Sequence, residues 1–440
     1  MRVLIAFVLC VCAATLPAQK SLLQAGPMLG YSEMLEVMLW VQTNAAAEVQ
    51  FAYWPQGKTT ERHLTQPYLT QHQEGYTARL IADEVAPGVR YDYSLLINGQ
   101  PVKMAYPTTF QTQALWQWRT DPPPFTVALG SCNYISEEAY DRPGTPYGAG
   151  YGIFNKINEK RPDAMLWLGD NTYLREVDWN SWTGILHRYT HTRSAPEMQP
   201  LLASTHHYAI WDDHDFGPNN SDRSFVHKEQ TLEAFRLFWG NPTYGVNRQP
   251  GITSAFQWAD MDFFLIDNRY NRRPNDRRSG EAILLGENQL EWLIDALVSS
   301  QAPFKFIAMG GQVLNTAPVF ENYVNLAPAE RAYLLARIEE EGITGVVFLT
   351  GDRHHSELSS YVNASGHTVY DLTVSPLTAG VAATRGEANE LQVAGTLVEA
   401  RNFGLLSFSG PRKERQMLIQ LFDEQGVELW QRTVMAPTAK

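Results

Sequence analysis

One repeated pattern in the second part of the chain most restricts its fold: a short apolar run that ends abruptly in polar residues. The clearest example is DAMLWLGDNTYL, residues 163–174, in which Leu166, Trp167 and Leu168 precede Asp170 and Tyr173. The same pattern recurs in FTVALGSC, HHYAIWDDHD, DFFLIDNR, FKFIAMGG and GVVFLTGD. Uninterrupted apolar runs of this length are typical of strands that are buried on both faces.

Segments with helical periodicity separate these runs. They include GIFNKINEK and NQLEWLIDALVSS, and the second places Leu290, Leu293, Ile294 and Leu297 on one face. Buried strands that alternate with helices predict a layered α/β fold, and such folds place their sites at the carboxyl ends of the strands. The final segment, RQMLIQLFDEQGVELWQRTVM, predicts a hairpin at the edge of a sheet.

Residues 20–113 show a different pattern. LEVMLWVQT, AEVQFAYWP, YTARLIADEV and RYDYSLLING alternate apolar and polar residues and are separated by turn-forming clusters. This pattern predicts an N-terminal β-sandwich, and its last two strands resemble the final hairpin of fibronectin III-like or Ig-like modules. Residues 114–124 contain three consecutive prolines, Pro122 to Pro124, and predict a stiff linker to a catalytic domain over residues 125–440.

The first residues predict export. Arg2 precedes an apolar run that ends near Leu16, which is typical of a cleavable signal peptide over residues 1–19 and too short for a membrane span. Cys10 and Cys12 would leave with that signal, so Cys132 would be the one thiol of the mature chain. We therefore expect a secreted or periplasmic protein with no disulfide within the mature chain, in which Cys132 is either buried and inert or chemically occupied.

Charge and hydropathy exclude several classes of function. The 440-residue chain carries a formal net charge of -12, which argues against general binding to nucleic acids or anionic membranes. No other stretch approaches the length of a transmembrane segment, and no glycine-rich loop followed by Lys-Ser or Lys-Thr is present. Neither a nucleic-acid-binding signature nor a transmembrane segment is therefore expected, and the oligomeric state stays open.

Four predicted strand ends carry potential metal ligands, namely Cys132 in GSCNY; Asp170 and Tyr173 in GDNTY; Asp212, Asp213, His214, Asp215, Asn219 and Asn220 in WDDHDFGPNN; and Asp352, His354 and His355 in TGDRHHSEL. Each alone has an ordinary structural explanation, such as a turn, a helix cap, a core aromatic or a solvated loop. Together they predict a metal site, because so many carboxylates packed near one another without cations would repel each other strongly. Two metal ions about 3.5 to 4 Å apart would relieve that repulsion.

The ordered motifs GSC, LGDNTY, WDDHDFGPN, GGQ and TGDRHH resemble the PhoD-like alkaline phosphatase D family, within the metallophosphoesterase superfamily. The resemblance runs from about Phe125 onward. It implies a metallophosphoesterase-like α/β/β/α sandwich behind the N-terminal β-sandwich. It also implies a secreted phosphatase or phosphodiesterase that hydrolyses phosphate esters, for phosphate scavenging, by attack of metal-activated hydroxide.

The resemblance also implies a set of ligands. Cys132, Tyr173 and His354 match ligands of a ferric ion, and Asp170 would bridge this ion to calcium. Asp352 matches a calcium ligand, and Asn219 completes the calcium shell, with Asn220 left open by the spacing. Similarity to the wider superfamily suggests a metal-shell and catalytic role for Asp213, and a leaving-group or oxyanion role for His214.

Several basic residues have interpretations of their own. Arg353 lies between two motif residues and is the predicted contact for substrate phosphate. Five arginines in residues 268–280 could attract an anion, although a solvated loop is the favoured interpretation for most of them, namely Arg269, Arg272, Arg273, Arg277 and Arg278. His206 and His207 precede a buried strand and are predicted to be structural.

Alternatives remain at this point. The same fold could hold zinc, manganese or only calcium, and a catalytically degenerate chain could act as a surface binding protein through its β-sandwich. Relatives typically carry paired arginines in their export signal, whereas this chain has only Arg2. The difference suggests Sec export of an unfolded chain, which would acquire its metals outside the cytoplasm.

Overall fold

The structure is a computed structural model that describes residues 21–384 and 386–437. The predicted signal peptide, with Cys10 and Cys12, lies outside the described residues. Within them, the free thiol of Cys132 is buried. No helix in the described ranges has the length and apolar character needed to cross a membrane.

The strands are numbered in chain order as β1 Leu23–Ser32, β2 Val37–Thr43, β3 Glu48–Pro55, β4 His63–Leu64, β5 Tyr68–Leu69, β6 Thr77–Ala82, β7 Arg90–Ile97, β8 Gln100–Pro101, β9 Thr109–Gln111, β10 Phe125–Gly130, β11 Ala164–Leu168, β12 His206–Ile210, β13 Ser254–Trp258, β14 Met261–Leu265, β15 Lys305–Ala308, β16 Val346–Thr350, β17 Glu357–Val362, β18 Thr368–Thr373, β19 Asn402–Ser409, β20 Gln416–Asp423 and β21 Glu428–Met435. The helices are α1 Ile153–Glu159, α2 Trp182–Arg193, α3 Gln199–Leu202, α4 Asp213–Phe216, α5 Lys228–Phe238, α6 Glu287–Ser299, α7 Tyr323–Leu326 and α8 Pro328–Glu340.

Two sheets face each other in the second part of the chain. One has the order β21-β20-β19-β10-β11-β12-β1-β2-β6, and the other has the order β13-β14-β15-β16-β18-β17. Aromatic rings pack between them. The ring centroids of Phe263 and Phe306 lie 4.7 Å apart, and the Phe306 ring meets that of Phe408, in the first sheet, edge to face at 5.5 Å between centroids. The predicted C-terminal hairpin is confirmed as β20 and β21, at the edge of the first sheet.

The second sheet is buried on both faces, as its apolar runs predicted. Alternate residues point to opposite sides, so Phe263 and Phe306 face the core between the sheets, whereas Phe264 and Ile307 pack in a separate core with α6 and α8. Side chains of α1, α2, α3 and α5 belong to the core of the first sheet. The layers are therefore helix, sheet, sheet and helix, which confirms the predicted α/β class.

The N-terminal residues form a β-sandwich that shares one of its sheets with the rest of the protein. Strands β3, β4, β7 and β8, with β5 and β9 attached, form one face, and β1, β2 and β6 form the other. An apolar core that includes Leu39, Val41, Phe51 and Tyr93 lies between them. Strand β1 also pairs in parallel with β12, so the sandwich extends the nine-stranded sheet. Sequence patterns did not anticipate this pairing, and the boundary near residues 114–124 stays a prediction.

The contact between the two parts, here called the sheet joint, consists of β1 and β9 against β12. His206 Nδ1 donates to the Gly30 carbonyl at 2.8 Å, and its Nε2 accepts from the Gln111 backbone N–H at 3.3 Å. The Ser32 N–H donates to the Tyr208 hydroxyl at 3.1 Å. His207 is buried as well, and accepts from Trp167 Nε1 at 3.0 Å. Both histidines therefore have the structural roles predicted for them.

Candidate metal centre

The carboxyl ends of six strands meet at one end of the two facing sheets. Strands β10, β11 and β12 run parallel in the first sheet, and β14, β15 and β16 run parallel in the second. Parallel strands present their carboxyl ends at a common edge, so the polar residues that follow them converge. The structure brings together six of the predicted ligands, namely Cys132, Asp170, Tyr173, Asp213, Asp352 and His354.

The backbone is strained at four of these residues. Positive φ angles occur at Cys132 (57°), Asp170 (52°), Asp352 (66°) and His354 (56°). Residues other than glycine adopt this left-handed region at a cost of about 1 to 2 kcal/mol each. The surrounding fold holds four strained residues where the strands end, a clustering that is typical of functional sites.

One part of the centre, here called the thiol half, contains Cys132, Tyr173 and His354. The Tyr173 hydroxyl lies 3.2 Å from His354 Nε2, and it donates to Asp170 Oδ2, also at 3.2 Å. The Cys132 Sγ lies 3.8 Å from the same carboxylate oxygen. Cys132, Asp170 and His354 can each direct a ligand atom to a single point, since these atoms all lie within 4.8 Å of one another.

Hydrogen bonds outside the thiol half orient its ligands. His354 Nδ1 donates to the Gly380 carbonyl, which leaves Nε2 turned toward Tyr173. Burial alone would raise the pKa of Cys132, but the charge of His354 and hydrogen bonds from His354, Ser375 and Ser131 outweigh it, so the pKa is lowered. The Cys132 thiol is thus favoured as the thiolate that binds metals.

The other part, here called the acidic half, contains Asp212, Asp213, Glu321 and Asp352. Carboxylate oxygens of Asp212, Glu321 and Asp352 lie within 4.8 Å of one another, and Asp170 forms a similar group with Asp213 and His214. Burial, reinforced by neighbouring carboxylates, raises the pKa of Asp352 and of Asp170 well above the usual range. Without a cation these carboxyl groups therefore favour the neutral, protonated form, because the protein groups around them do not compensate a full set of negative charges.

Two arginines of the 268–280 segment are buried in this half, which corrects the solvated-loop interpretation for them. Arg269 is fully buried and pairs with Asp212 and with Glu321, and its Nη2 lies 3.9 Å from Asp213 Oδ1. Arg272 donates to Glu321 at 2.6 and 2.9 Å. The interpretation holds for Arg277 and Arg278, which are exposed, whereas Arg273 is partly buried.

His214 and Asp213 lie beside Asp170. The His214 ring stacks on Tyr173, with ring centroids 4.2 Å apart, and its backbone N–H donates to Asp170 Oδ1 at 3.2 Å. Asp213 Oδ2 accepts from the Asn220 N–H at 2.6 Å. Asn219 and Asn220 are both exposed, so the assignment of Asn219 to a metal stays a prediction.

The Arg353 guanidinium is held by protein acceptors. Its Nη1 donates to Gln312 Oε1 at 2.6 Å and to Asn322 Oδ1 at 2.7 Å, and its Nη2 donates to Glu387 at 2.6 Å. The predicted contact with substrate phosphate stays a prediction. His355 is buried and lies 3.9 Å from Glu357, away from the ligand groups described above.

Sequence reasoning missed Glu321 and Asn268, and it assigned no role to Gln312 although this residue ends the GGQ motif. Glu321 follows no apolar strand, so the pattern that identified the other carboxylates gave no signal for it. Asn268 and Gln312 did follow predicted strands, in DFFLIDNR and FKFIAMGG. Amide side chains at those two strand ends were the signal that could have identified them.

Several observations show that the residues present fit bound cations. The Asp212 Oδ2, Asn268 Oδ1 and His214 Nδ1 atoms are buried without a hydrogen-bond partner in the described structure. A Cβ at Gly310 would lie only 2.3 Å from Asp212 Oδ2, so glycine there leaves room beside that buried oxygen. Thiolate, phenol and imidazole donors suit a transition metal, and carboxylate and amide oxygens suit a hard cation such as calcium.

Comparison with known proteins agrees with this arrangement. Residues 128–410 match the family model described as PhoD-like phosphatase. Residues 20–115 match a second model, a domain of unknown function named DUF7800. The chain is 26% identical over 288 residues to alkaline phosphatase D of Bacillus subtilis (strain 168). That match covers 54% of this chain and 47% of the relative, so the chain spans about half the length of the relative.

Two solved structures share the fold. A structure of PhoD superimposes with a TM-score of 0.76 at 16% identity, covering 97% of this chain and 94% of that one. The purple acid phosphatase PPD1 from yellow lupin (Lupinus luteus) seeds superimposes with a TM-score of 0.68 at 12% identity, covering 93% and 74%. Because the first family model spans most of the chain, including every strand end that builds the centre, the protein belongs to the PhoD-like phosphatase family.

Proposed function

We propose that the protein is a metal-dependent phosphatase that hydrolyses phosphate esters at this centre. One observation carries the proposal: the Asp170 carboxylate belongs both to the group with Cys132 and His354 and to the group with Asp213 and His214. A single carboxylate shared by two ligand groups is the arrangement that holds two metal ions close together. The 47% coverage of alkaline phosphatase D leaves the activity of the whole chain as part of this proposal.

The donor atoms suggest which ions bind. Cys132, Tyr173 and His354 suit a ferric ion, because phenolate and thiolate stabilise a trivalent charge. Asp213 and Asp352, with Asn219 from the exposed segment, suit calcium, which prefers oxygen ligands. Zinc or manganese in the same positions is the alternative. The low pKa of the Cys132 thiol supports metal binding in general and does not distinguish among these ions.

Bound ions at such a centre supply Lewis acidity and lower the pKa of bound water. The side chains would do the rest. Asp213, held by the Asn220 N–H and facing Arg269, would keep its carboxylate ionised, because the charges of His214 and Arg269 outweigh burial and lower its pKa. His214, stacked on Tyr173, would donate a hydrogen bond to the leaving-group oxygen. Hydrolysis breaks the ester P–O bond and forms a new one to the oxygen of water.

Arg353 would act from the edge of the centre. Arg353 directly follows Asp352 in the chain, and its guanidinium donates hydrogen bonds to Gln312, Asn322 and Glu387. We propose that it contributes positive charge next to the substrate phosphate. Export through the predicted signal peptide, followed by metal acquisition outside the cytoplasm, is part of the same proposal and fits a role in phosphate scavenging.

The test combines metal content with spectroscopy. Purified protein should contain iron and calcium, absorb visible light through a tyrosinate-to-iron transition, and hydrolyse a phosphomonoester or a phosphodiester. Tyr173→Phe should lose the absorption band and reduce kcat/KM by about 10- to 100-fold, because it removes one ligand from the thiol half.

Tyr189→Phe is the matched control, since Tyr189 is a buried tyrosine whose hydroxyl bonds only to the Asp215 carbonyl at 3.4 Å. It should keep both the colour and the activity. Protein that is colourless, metal-free and inactive after incubation with both ions would refute the proposal. Active protein that contains zinc or manganese instead would support the alternative metals.

A further inference from the structure

One aromatic side chain at the edge of the acidic half is exposed in a conformation that packing does not explain. Phe320 is 70% exposed, and its φ angle is 45°, in the left-handed region. A bulky residue in this region is strained, and burial of the ring usually compensates such strain. Here the ring stays in solvent, so the strain has no compensation from the hydrophobic effect.

The ring is nevertheless held in a fixed place. The Arg353 guanidinium lies over it, with Cζ 5.3 Å from the ring centroid. That guanidinium is itself anchored by Gln312, Asn322 and Glu387. One face of the Phe320 ring therefore rests on a rigid cation, and the exposed fraction of the side chain leaves the other face to solvent.

Phe320 lies directly beside the metal centre. The next residue, Glu321, has a carboxylate oxygen within 4.8 Å of those of Asp212 and Asp352. Arg353, which supports the ring, directly follows Asp352. If the acidic half takes the phosphate, an organic group that extends toward Arg353 would meet this ring.

Tyr147, an aromatic residue that contacts the thiol half, differs from Phe320. Its ring packs 5.0 Å from Tyr134 and 5.9 Å from His354, and its hydroxyl lies 3.2 Å from His354 Nδ1. Those contacts make Tyr147 a wall of the thiol half. Tyr147 is itself 45% exposed, but its ring is engaged by these neighbours, whereas the ring of Phe320, at 70%, has a free face at the edge of the acidic half.

We propose that Phe320 is a specificity-determining residue, and that it stacks on a planar aromatic group, such as a nucleobase, carried by the phosphate ester that the protein hydrolyses. The inference rests on the proposed phosphatase function and names the class of substrate. A planar π-system covers an aromatic face more completely than a sugar or an alkyl chain does, so the base should contribute most of the contact. Arg353 is then the positioning residue that holds the ring.

The experiment compares two substrates with the same reacting bond. Adenosine monophosphate and ribose phosphate are esterified at the same primary hydroxyl and differ in the base. Each is measured as a substrate of the metal-loaded protein and as a competitive inhibitor of the hydrolysis of bis(nitrophenyl) phosphate. Phe320→Ala should raise KM or Ki for the nucleotide by about five- to tenfold and leave the value for ribose phosphate unchanged. Phe320→Trp should restore nucleotide binding.

Trp118→Ala is the control, because Trp118 is the most exposed tryptophan of the described chain, at 92%, and should affect neither ligand. Equal changes for both ligands in Phe320→Ala, or no change for either, would overturn the inference while wild-type hydrolysis still supports the proposed function. A wild-type protein that hydrolyses no phosphate ester after metal loading would instead overturn the proposed function, and the inference with it. Thermal unfolding of each variant shows whether its fold is intact.

Discussion

The metal centre and the sheet joint are both buried and polar, but they differ in whether their polar atoms find hydrogen-bond partners within the protein. In the joint, His206 and Tyr208 bond to neutral backbone groups of Gly30, Gln111 and Ser32. In the centre, the Asp212 Oδ2 and His214 Nδ1 atoms are buried without partners in the described structure, and burial raises the pKa of Asp170. The joint is complete as protein alone, whereas the centre is complete only with cations.

The contrast separates two kinds of function for buried polar residues. A group whose hydrogen bonds are all made within the protein contributes to stability, and its loss leaves a partner unpaired. A group left with excess charge destabilises the metal-free protein and gains its partner from a ligand. Changes in the joint should therefore affect folding, and changes in the centre should affect metal binding and activity.

The largest expected effect breaks the centre at the residue shared by its two halves. Asp170→Asn keeps the shape of the side chain but removes the carboxylate charge. We expect kcat/KM to fall by about a thousandfold, because both ligand groups lose a common donor. Since Asp170 is destabilised by burial and by neighbouring carboxylates, the metal-free variant should unfold at a higher temperature than metal-free wild type.

Asp295→Asn, at an exposed position of α6, is the matched control and should change neither quantity. Calorimetry of metal-free protein and steady-state kinetics of loaded protein measure the two effects. An Asp170→Asn variant that is active, or that is less stable than wild type without metal, would remove the distinction drawn above.

The next prediction concerns Glu321, which could contribute both to stability and to metal binding. Glu321 contacts the acidic ligands, but it also pairs with Arg269 and Arg272. Glu321→Gln should lower the free energy of unfolding by about 3 kcal/mol, because it leaves two buried guanidinium groups with less compensation. Chemical denaturation measures this loss, with the exposed Glu281→Gln as control. Lost calcium with unchanged stability would instead make Glu321 a metal ligand.

The smallest effect concerns the joint. Burial lowers the pKa of His206 to about 4 from 6.5, so the unfolded chain binds the proton first as the pH falls. Stability contributed by neutral His206 is present above pH 6.5 and is lost as the pH falls toward about 4. We expect His206→Asn to reduce, by about 2 kcal/mol, the loss in the free energy of unfolding over this pH range. Denaturation at several pH values measures the free energy of unfolding. The control His72→Asn, at an exposed position, should show the same dependence on pH as the wild type.

The residues of the thiol half were predictable because each follows a strand whose apolar run is visible in the sequence. Cys132, Tyr173 and His354 lie beyond the carboxyl ends of β10, β11 and β16, and parallel strands of one sheet present such residues at a common edge. The positive φ angles at Cys132 and His354 were not predictable, because they depend on how the two sheets meet. Asp212 was recognised as a potential ligand for the same reason as the others.

The burial of Arg269 and Arg272 could not be predicted from local sequence patterns. Arg269 and Arg272 lie in a segment rich in charge, proline and asparagine, which is typical of a solvated loop. Their burial depends on Asp212 and Glu321, which lie about 50 residues away on either side in the chain. Long-range ion pairs of this kind leave no local pattern. The pairing of β1 with β12 was missed for the same reason, since neither strand indicates its neighbour.

That pairing has a consequence for how the protein is produced. Strand β1 covers the outer edge of β12, the last parallel strand of the catalytic part on that side. A fragment that began at Phe125 would present the backbone N–H and C=O groups of β12 to solvent, and uncovered edges of this kind recruit strands from other copies. The N-terminal strands would thus protect this edge, and a fragment beginning at Phe125 is expected to aggregate instead of forming a minimal enzyme.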